Sequence, residues 1–351
     1  MATVAIILIN YNSTRLTKKC VKSLFSTKED QDTYHVVIWD NASKQAPTPE
    51  DFPDCKLVLS PTNDGFAKGN NLAVKTALKT QNPDYLLILN NDTRVTKGMI
   101  RQLITTYQSA SDIGIVLPKI YFEKGYEFHQ KDYDHSKLGK ILWFAGGGID
   151  WRNAILFHKG ADEVDRGQFD LDTSSHVLQQ HKDSLGQKIE RLLFEDTVLP
   201  EPIGGQATKA TSYDSHFATG CCFLITPALW KKLQGFDEKY FMYYEDADFS
   251  LRLKKLRKRI VFEPQSSLYH LNAGSSGGSG STLHLYYQTR NRLRFGLKYA
   301  SLKTKLLLLL EARRQFSQGT EAVKLGILHA LEGRWGNQTK YIPQHRHFQQ
   351  S

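Results

Sequence analysis

The sequence predicts an α/β fold, a mostly parallel central sheet flanked by helices with a helical C-terminal tail, and three observations predict it. Short continuous apolar runs at 4–9, 35–39, 57–59 and 85–89 alternate with helical patterns at 16–25 and 71–78. Strands that are apolar on both sides need cover on both faces, and this is the pattern of parallel sheets wrapped by helices. Three of the runs also end in polar clusters: Asn10-Tyr11-Asn12, Asp40-Asn41-Ala42-Ser43 and Asn90-Asn91-Asp92. In open α/β sheets ligands bind beyond the carboxyl ends of the strands, so three polar tips point to one site. Finally, 351 residues with 40% hydrophobic content can bury a large core, in one large domain or two smaller ones.

The net charge of +10 implies attraction to polyanions, whether nucleic acid, anionic lipid headgroups or phosphorylated small molecules. Cys20, Cys55, Cys221 and Cys222 show no C-x-x-C spacing and read as reduced, buried thiols, which suits a cytoplasmic protein. The N-terminus enters a strand directly, without the basic segment and cleavage site of a secretory signal. No apolar run, 306–310 included, approaches the length of a spanning helix, so membrane contact is expected to be peripheral, at the inner face of the plasma membrane.

Further along, 111–155 is irregular and aromatic, with Trp143 and Phe144 followed by Gly146-Gly147-Gly148. These glycines suit close backbone approach to a flat ligand, and equally a plain turn. About 170–213 reads as a polar insertion or mobile loop with one helical stretch at 189–194. Apolar order returns at 217–233, followed by Gly235-Phe236-Asp237 and Glu245-Asp246-Ala247-Asp248. The next helix alternates Phe249, Leu251, Leu253 and Leu256 with Arg252, Lys254, Lys255 and Arg257. A strand at 260–262, His270, a Gly/Ser stretch at 274–281 and a basic, helical tail complete the chain. The expected division is a catalytic domain over 1–270, with a nucleotide-binding half to 110 and an acceptor half after it, and a C-terminal region over 271–351.

The chemistry-bearing clusters each have two readings. Asn90-Asn91-Asp92 either ends its strand in an Asx turn or offers hard oxygen ligands to Mg²⁺ or Mn²⁺ bridging two phosphates. Asp40-Asn41 is a turn, or the acceptor and donor that read a pyrimidine edge. The segment 63–71 follows a strand and opens a helix, which suits a phosphate-cradling loop, yet its glycines match neither the dinucleotide nor the Walker pattern. Glu245, Asp246 and Asp248 are first-turn acids favoured by the helix dipole, or include a general base. His270 is a structural histidine, or a further metal or phosphate ligand. The 274–281 stretch is a linker, or a lid that orders over a diphosphate.

Taken together, 4–12, Asp40 to Ser43, 63–71, Asn90 to Asp92, Gly235 to Asp237 and Glu245 to Asp248 with Arg252 resemble the family 2 glycosyltransferases. The resemblance spans roughly 4–294. It implies a GT-A fold, a nucleotide-diphosphate sugar donor, a divalent metal and inversion at the anomeric carbon by direct displacement. By position, Asn10, Tyr11, Asn12, Asp40 and Asn41 are expected to line the nucleoside pocket, with Gly65, Asn70, Asn71, Asn91 and Arg290 as further nucleotide contacts. Asp92 matches the last acid of the D-x-D metal motif, whose first position is Asn90 here, and His270 is the second expected metal ligand. Asp246 matches the catalytic base, supported by Glu245. Trp143, Gly146 and Gly220 are expected at the acceptor or the transferred sugar.

Within the family, 125–150, the run Asp165-Arg166-Gly167-Gln168-Phe169-Asp170, 270–276 and Arg290-Asn291 resemble rhamnosyltransferase-like members, which implies a dTDP-rhamnose or UDP-sugar donor and a polysaccharide or lipid-linked saccharide acceptor. Two alternatives stand beside this reading: a metal-dependent nuclease, opposed by the polar ends of three strands and by basic residues that cluster toward the C-terminus rather than around the acids, and a non-catalytic carbohydrate-binding scaffold, which Asn90 keeps open and Asp246 opposes. The basic residues Arg290, Arg292, Arg294, Lys298, Lys303 and Lys305 beside 306–310 form either a charged helix face or an interfacial helix drawn to anionic lipid.

Overall fold

The computed structural model describes residues 1–29, 31–170, 213–271 and 280–343. The insertion at 171–212, its expected helix at 189–194 and most of the Gly/Ser stretch lie outside the described residues.

The expected α/β alternation is present. Strands β1 (Thr3–Asn10), β2 (Thr33–Asp40), β3 (Cys55–Leu59) and β4 (Tyr85–Asn90) alternate with helices α1 (Thr14–Ser26) and α2 (Gly65–Thr80). After the short β5 (Thr93–Val95) come helix α3 (Met99–Gln108) and the long β6 (Ile113–Phe122). A lobe of short strands follows: β7 (Leu142–Phe144), β8 (Gly147–Asp150) and β9 (Ile155–His158). Beyond the insertion are β10 (Tyr213–Asp214), β11 (Cys222–Ile225), helices α4 (Pro227–Leu233) and α5 (Glu245–Lys255), and β12 (Arg259–His270). Helices α6 (Thr282–Tyr299), α7 (Leu302–Gln318) and α8 (Glu321–Leu331) close the described chain.

The main sheet runs β10-β12-β6-β11-β4-β1-β2-β3. β3, β2, β1 and β4 are parallel, β11 enters antiparallel between β4 and β6, and β12 pairs parallel with β6. β1 sits between β2 and β4, so the direction of winding reverses there and the carboxyl ends of β1, β2 and β4 open onto one crevice. Val4 to Leu8 in β1 and Leu86 to Ile88 in β4 have no exposed surface, as strands buried on both faces require.

Several elements depart from their expected positions: β2 and β3 begin two residues early, at Thr33 and Cys55, and the ten-residue β6 lies within 111–155, which read as irregular. α2 begins at Gly65 instead of 71 because Asn70 and Asn71 sit inside the helix, their amides satisfied by carbonyls. β12 runs to His270 because its second half, after a bulge at Glu263–Ser267, pairs with β5 as well as β6.

α5 and α6 are tied by a buried acid. Asp248, with no exposed surface, accepts from Arg252 Nε at 2.7 Å, Lys298 Nζ at 2.6 Å and Tyr299 OH at 2.8 Å. Of the three acids in its cluster, Asp248 is therefore structural. The α6 cations are engaged with protein groups too: Arg292 pairs with Glu311, Arg294 with Asp237 and Lys298 with Asp248, while Arg290 is fully buried. These four are held within the protein and do not form the expected lipid-facing surface. Removing the central carboxylate takes from Arg252 and Lys298 their nearest acid, so Asp248→Ala is expected to lower unfolding free energy on the order of 3 kcal/mol in urea titrations.

Candidate active site

One cleft of about 1190 Å³ opens at the carboxyl ends of β1 and β4 and extends to α6 and α7. It collects Tyr11, Asn41, Gly65, Asn91, Asp92, Trp143, Gly220, Glu245, Asp246 and His270 from the expected set. Its volume exceeds what one small ligand needs and suits two substrates side by side.

At the strand tips the polar residues form two layers. Asn10 and Asp40 are buried and face each other, Asn10 Nδ2 donating to Asp40 Oδ1 at 2.6 Å. Asp40 also accepts from the Ser43 backbone N–H at 2.9 Å, and Thr17 Oγ1 donates to Asn10 Oδ1 at 2.7 Å. Asn91 Nδ2 donates to Ser13 and Thr17 hydroxyls, each at 2.7 Å, and thus locks β4's tip to α1. Asn12, at φ +52°, accepts from the Lys44 backbone N–H at 2.8 Å. Asn10, Asn12 and Asp40 therefore brace the tips from outside the cleft lining, whereas Tyr11, Asn41 and Asn91 reach its surface.

Four other expectations are corrected. The α2 N-terminus is not a free phosphate cradle, because the Phe66 and Ala67 backbone N–H groups donate to the Phe241 carbonyl at 2.8 and 3.1 Å. Asn70 donates to the Phe66 carbonyl at 2.9 Å, and Asn71 bonds the Phe236 carbonyl and amide at 3.0 and 2.9 Å, so neither faces the cleft. Gly146 lies outside the lining, and the neighbouring glycines make room for the protein's own rings: a Cβ on Gly147 would stand 2.5 Å from Phe217, and one on Gly148 would clash with Phe157. Arg290 has no surface; its guanidinium donates to the Gly336 and Tyr240 carbonyls at 2.8 and 2.9 Å and to Asn291 Oδ1 at 2.9 Å.

Arg290 belongs instead to the support of the acidic loop. Phe241, Tyr243 and Tyr244, just before Glu245, have φ of +67°, +67° and +70°. A non-glycine residue there costs about 1–3 kcal/mol, so such a run persists only where its surroundings dictate it. They do: Asn291 Nδ2 donates to the Tyr240, Met242 and Tyr243 carbonyls at 2.9, 2.7 and 3.0 Å, beside Arg290, while the α2 amides hold the Phe241 carbonyl from the other side. Gly65, at φ +73°, has no Cβ because Phe241 occupies that space.

The loop delivers two adjacent carboxyls. Asp246 Oδ2 accepts from the Gly220 backbone N–H at 3.0 Å and Oδ1 from that of Ala247 at 2.8 Å. Burial pushes its carboxyl up to about 6, against the pull of these N–H donors. Glu245 is buried, its Oε2 lacks a partner among the described residues, and desolvation plus the Asp246 charge hold it well above the usual carboxylate range. Asp246 is therefore the member of the pair suited to be ionised.

On β4's tip, Asp92 Oδ1 lies 3.1 Å from His270 Nε2, because the Leu271 backbone N–H donates to the Asp92 carbonyl at 2.8 Å and brings the end of β12 alongside. Trp143 stands edge-on between His270 and His158, at 4.6 and 4.4 Å between ring centroids. Among the described residues no group of three His, Cys, Asp or Glu side chains is placed to hold a metal ion by itself. An oxygen and a nitrogen ligand facing one another do fit a divalent cation whose remaining ligands come from substrate phosphates.

The sequence reading missed the contribution of the tail. Gln288, Arg292, Glu311 and Gln315 of α6 and α7 line the same cleft as Asp246. Phe241 and Tyr243 were missed as well, since backbone strain has no signature in composition.

The fold is of GT-A architecture. Residues 5–167, a little under half of the chain, match the model "Glycosyl transferase family 2". The chain is 20% identical over 345 residues, 95% of its length and 92% of the relative's, to the low-salt glycan biosynthesis hexosyltransferase Agl10 of Haloferax volcanii. It is 39% identical over 59 residues to the N-acetylglucosaminyl-diphospho-decaprenol L-rhamnosyltransferase of Mycobacterium tuberculosis, a match covering 17% of the chain and 19% of that protein. Among solved structures it resembles GalNAc-T7 with UDP, GalNAc and Mn²⁺, at a TM-score of 0.56 and 14% identity, which speaks for the fold alone. The match covers 96% of the chain and 55% of that structure, so the chain spans about half its length.

Asn291→Ala deletes three hydrogen bonds to the strained loop. It is expected to cost roughly 3 kcal/mol and to speed hydrogen exchange at the amides of 240–247, which exchange mass spectrometry would register.

Proposed function

We propose that the chain transfers a sugar from a nucleotide-diphosphate donor to an acceptor hydroxyl in a single displacement, with Asp246 as general base. The observation that carries this reading is the gathering of Asp246 and the Asp92–His270 pair in one cleft that also receives the three strand tips. Tyr11, Asn41 and Asn91 are the cleft-facing candidates for nucleoside contacts, with Asn10 and Asp40 holding them in place. Asp92 and His270 would hold Mg²⁺ or Mn²⁺, and the imidazole nitrogen favours Mn²⁺ as the softer ion. Such a cation supplies charge stabilisation to a departing diphosphate.

In the displacement, the acceptor oxygen forms a bond to the anomeric carbon while the bond to the diphosphate breaks and its electrons leave with the phosphate. Asp246 takes the hydroxyl proton, and its backbone N–H bonds from Gly220 and Ala247 keep one carboxylate geometry. Gly220 thus orients the base, and Trp143 is a candidate surface for the sugar ring. The donor reading is dTDP-rhamnose or a UDP-sugar. The short match to a rhamnosyltransferase supports the first, and that protein's name places its acceptor on a decaprenol diphosphate, a lipid-linked saccharide. A saccharide or lipid-linked acceptor of a cell-surface polysaccharide is the matching proposal here. Against the nuclease, the α6 cations are consumed by protein partners and offer no phosphate-binding track.

A thermal-shift panel of dTDP, UDP and GDP, each with and without Mn²⁺, tests the donor class. Stabilisation by one diphosphate only with metal is expected, and Asp92→Ala should abolish it; no shift with any of them refutes the reading. A general base must be ionised, so kcat/KM should rise with pH through about 6, where the Asp246 carboxyl loses its proton. Asp246→Asn should keep donor-induced stabilisation while lowering turnover by about 10²-fold or more. A variant with near-normal turnover would rule out Asp246 as base.

A further inference from the structure

α7 is built with its leucines on the wrong side for a core helix. Of the leucines in LKTKLLLLLEARRQFSQ, only Leu308 is buried; Leu302, Leu306, Leu307, Leu309 and Leu310 are 83%, 60%, 45%, 41% and 54% exposed, and Phe316 is 47% exposed. These positions recur at three- and four-residue steps, so they form one stripe along the helix. The inner face, carrying Thr304, Leu308 and Ala312, packs toward the protein and leaves this stripe without a partner.

The charges on the helix are sorted by face. Lys303, Arg313 and Arg314 are exposed beside the leucines. The sole acid of α7, Glu311, turns inward, pairs with Arg292 at 2.7 Å and lines the cleft. The outer face is therefore apolar and cationic with no carboxylate. A second copy of this chain would meet it across a two-fold axis with like charges opposed, which disfavours self-association through this patch. An anionic lipid surface offers the complement to both features: acyl chains for the leucines and headgroup phosphates for the cations. At 17 residues α7 is about 25 Å long, and no helix among the described residues is long and apolar enough to cross a membrane. The geometry is that of a helix lying in the interface.

We propose that the outer face of α7 docks the protein onto an anionic membrane surface, with the Leu302–Leu306–Leu310 stripe inserted among the lipids. The opposite face of the same helix lines the cleft through Glu311 and Gln315, so docking holds that wall of the cleft one helix thickness from the bilayer surface. The docking itself stands independently of the transferase reading, since it uses no cleft residue.

The test is co-sedimentation of the full chain with vesicles of phosphatidylcholine alone or mixed with phosphatidylglycerol, at low and raised salt. Binding to the anionic vesicles, weakened by salt, is expected. The double variant Leu306→Gln/Leu310→Gln, which leaves charge unchanged at exposed positions, should weaken it roughly tenfold or more, with unfolding midpoint and nucleotide-induced stabilisation retained. Lys303→Gln/Arg314→Gln should flatten the salt dependence. Wild-type protein that stays in the supernatant with anionic vesicles overturns the proposal, as does a double leucine variant that binds as well as wild type. A dimer seen by light scattering that this variant converts to monomer, without any vesicle binding, would assign the face to self-association instead.

Discussion

The site depends on a backbone that is held where it would not otherwise stay. Three left-handed residues, Phe241, Tyr243 and Tyr244, turn the chain sharply into α5 and set Glu245 and Asp246 at the cleft. Their carbonyls face both ways: Asn291 and Arg290 of α6 take those of Tyr240, Met242 and Tyr243, and the first amides of α2 take that of Phe241. A helix N-terminus that elsewhere binds anions is spent here on the protein's own carbonyl. Positioning of the acids thus couples the amino-terminal half of the sheet to the C-terminal helices, and neither part presents the pair alone.

Burial then separates two carboxyls that sequence alone treats as equals. Asp246 has two backbone donors from Gly220 and Ala247, and these favour its charged form against desolvation. Glu245 lacks comparable donors and sits deeper, so the proton of the pair is best placed on it. Asp248, two residues on, has the strongest cationic company and is spent on holding α5 to α6. One acidic cluster therefore divides into a candidate base, a buried neighbour and a structural anchor.

The sheet was legible because its signal is one-dimensional: continuous apolar runs ended by polar tips give strands and a crevice whatever the tertiary detail. The acidic cluster and Asp92 were legible for the same reason, as carboxylates at element boundaries. Which amide faces a ligand and which faces a carbonyl is set by packing, and there the reading went astray. Asn70, Asn71 and Arg290 have the chemistry of nucleotide contacts, yet each donates to carbonyls of the protein. Gly147 and Gly148, which suited a flat ligand or a plain turn, instead accommodate Phe217 and Phe157. The tail helices read as separate from the catalytic part because nothing in their composition says that Arg292 and Glu311 would meet across 19 positions to form a cleft wall.

The proposal that Asp246 activates an oxygen for direct displacement at the anomeric carbon has a stereochemical consequence that no binding measurement carries. Slow turnover of the donor with water as acceptor, followed by proton NMR before the released sugar mutarotates, reads the anomer first formed. The account predicts a sugar of configuration opposite to that in the donor; first release with the donor's own configuration would contradict it.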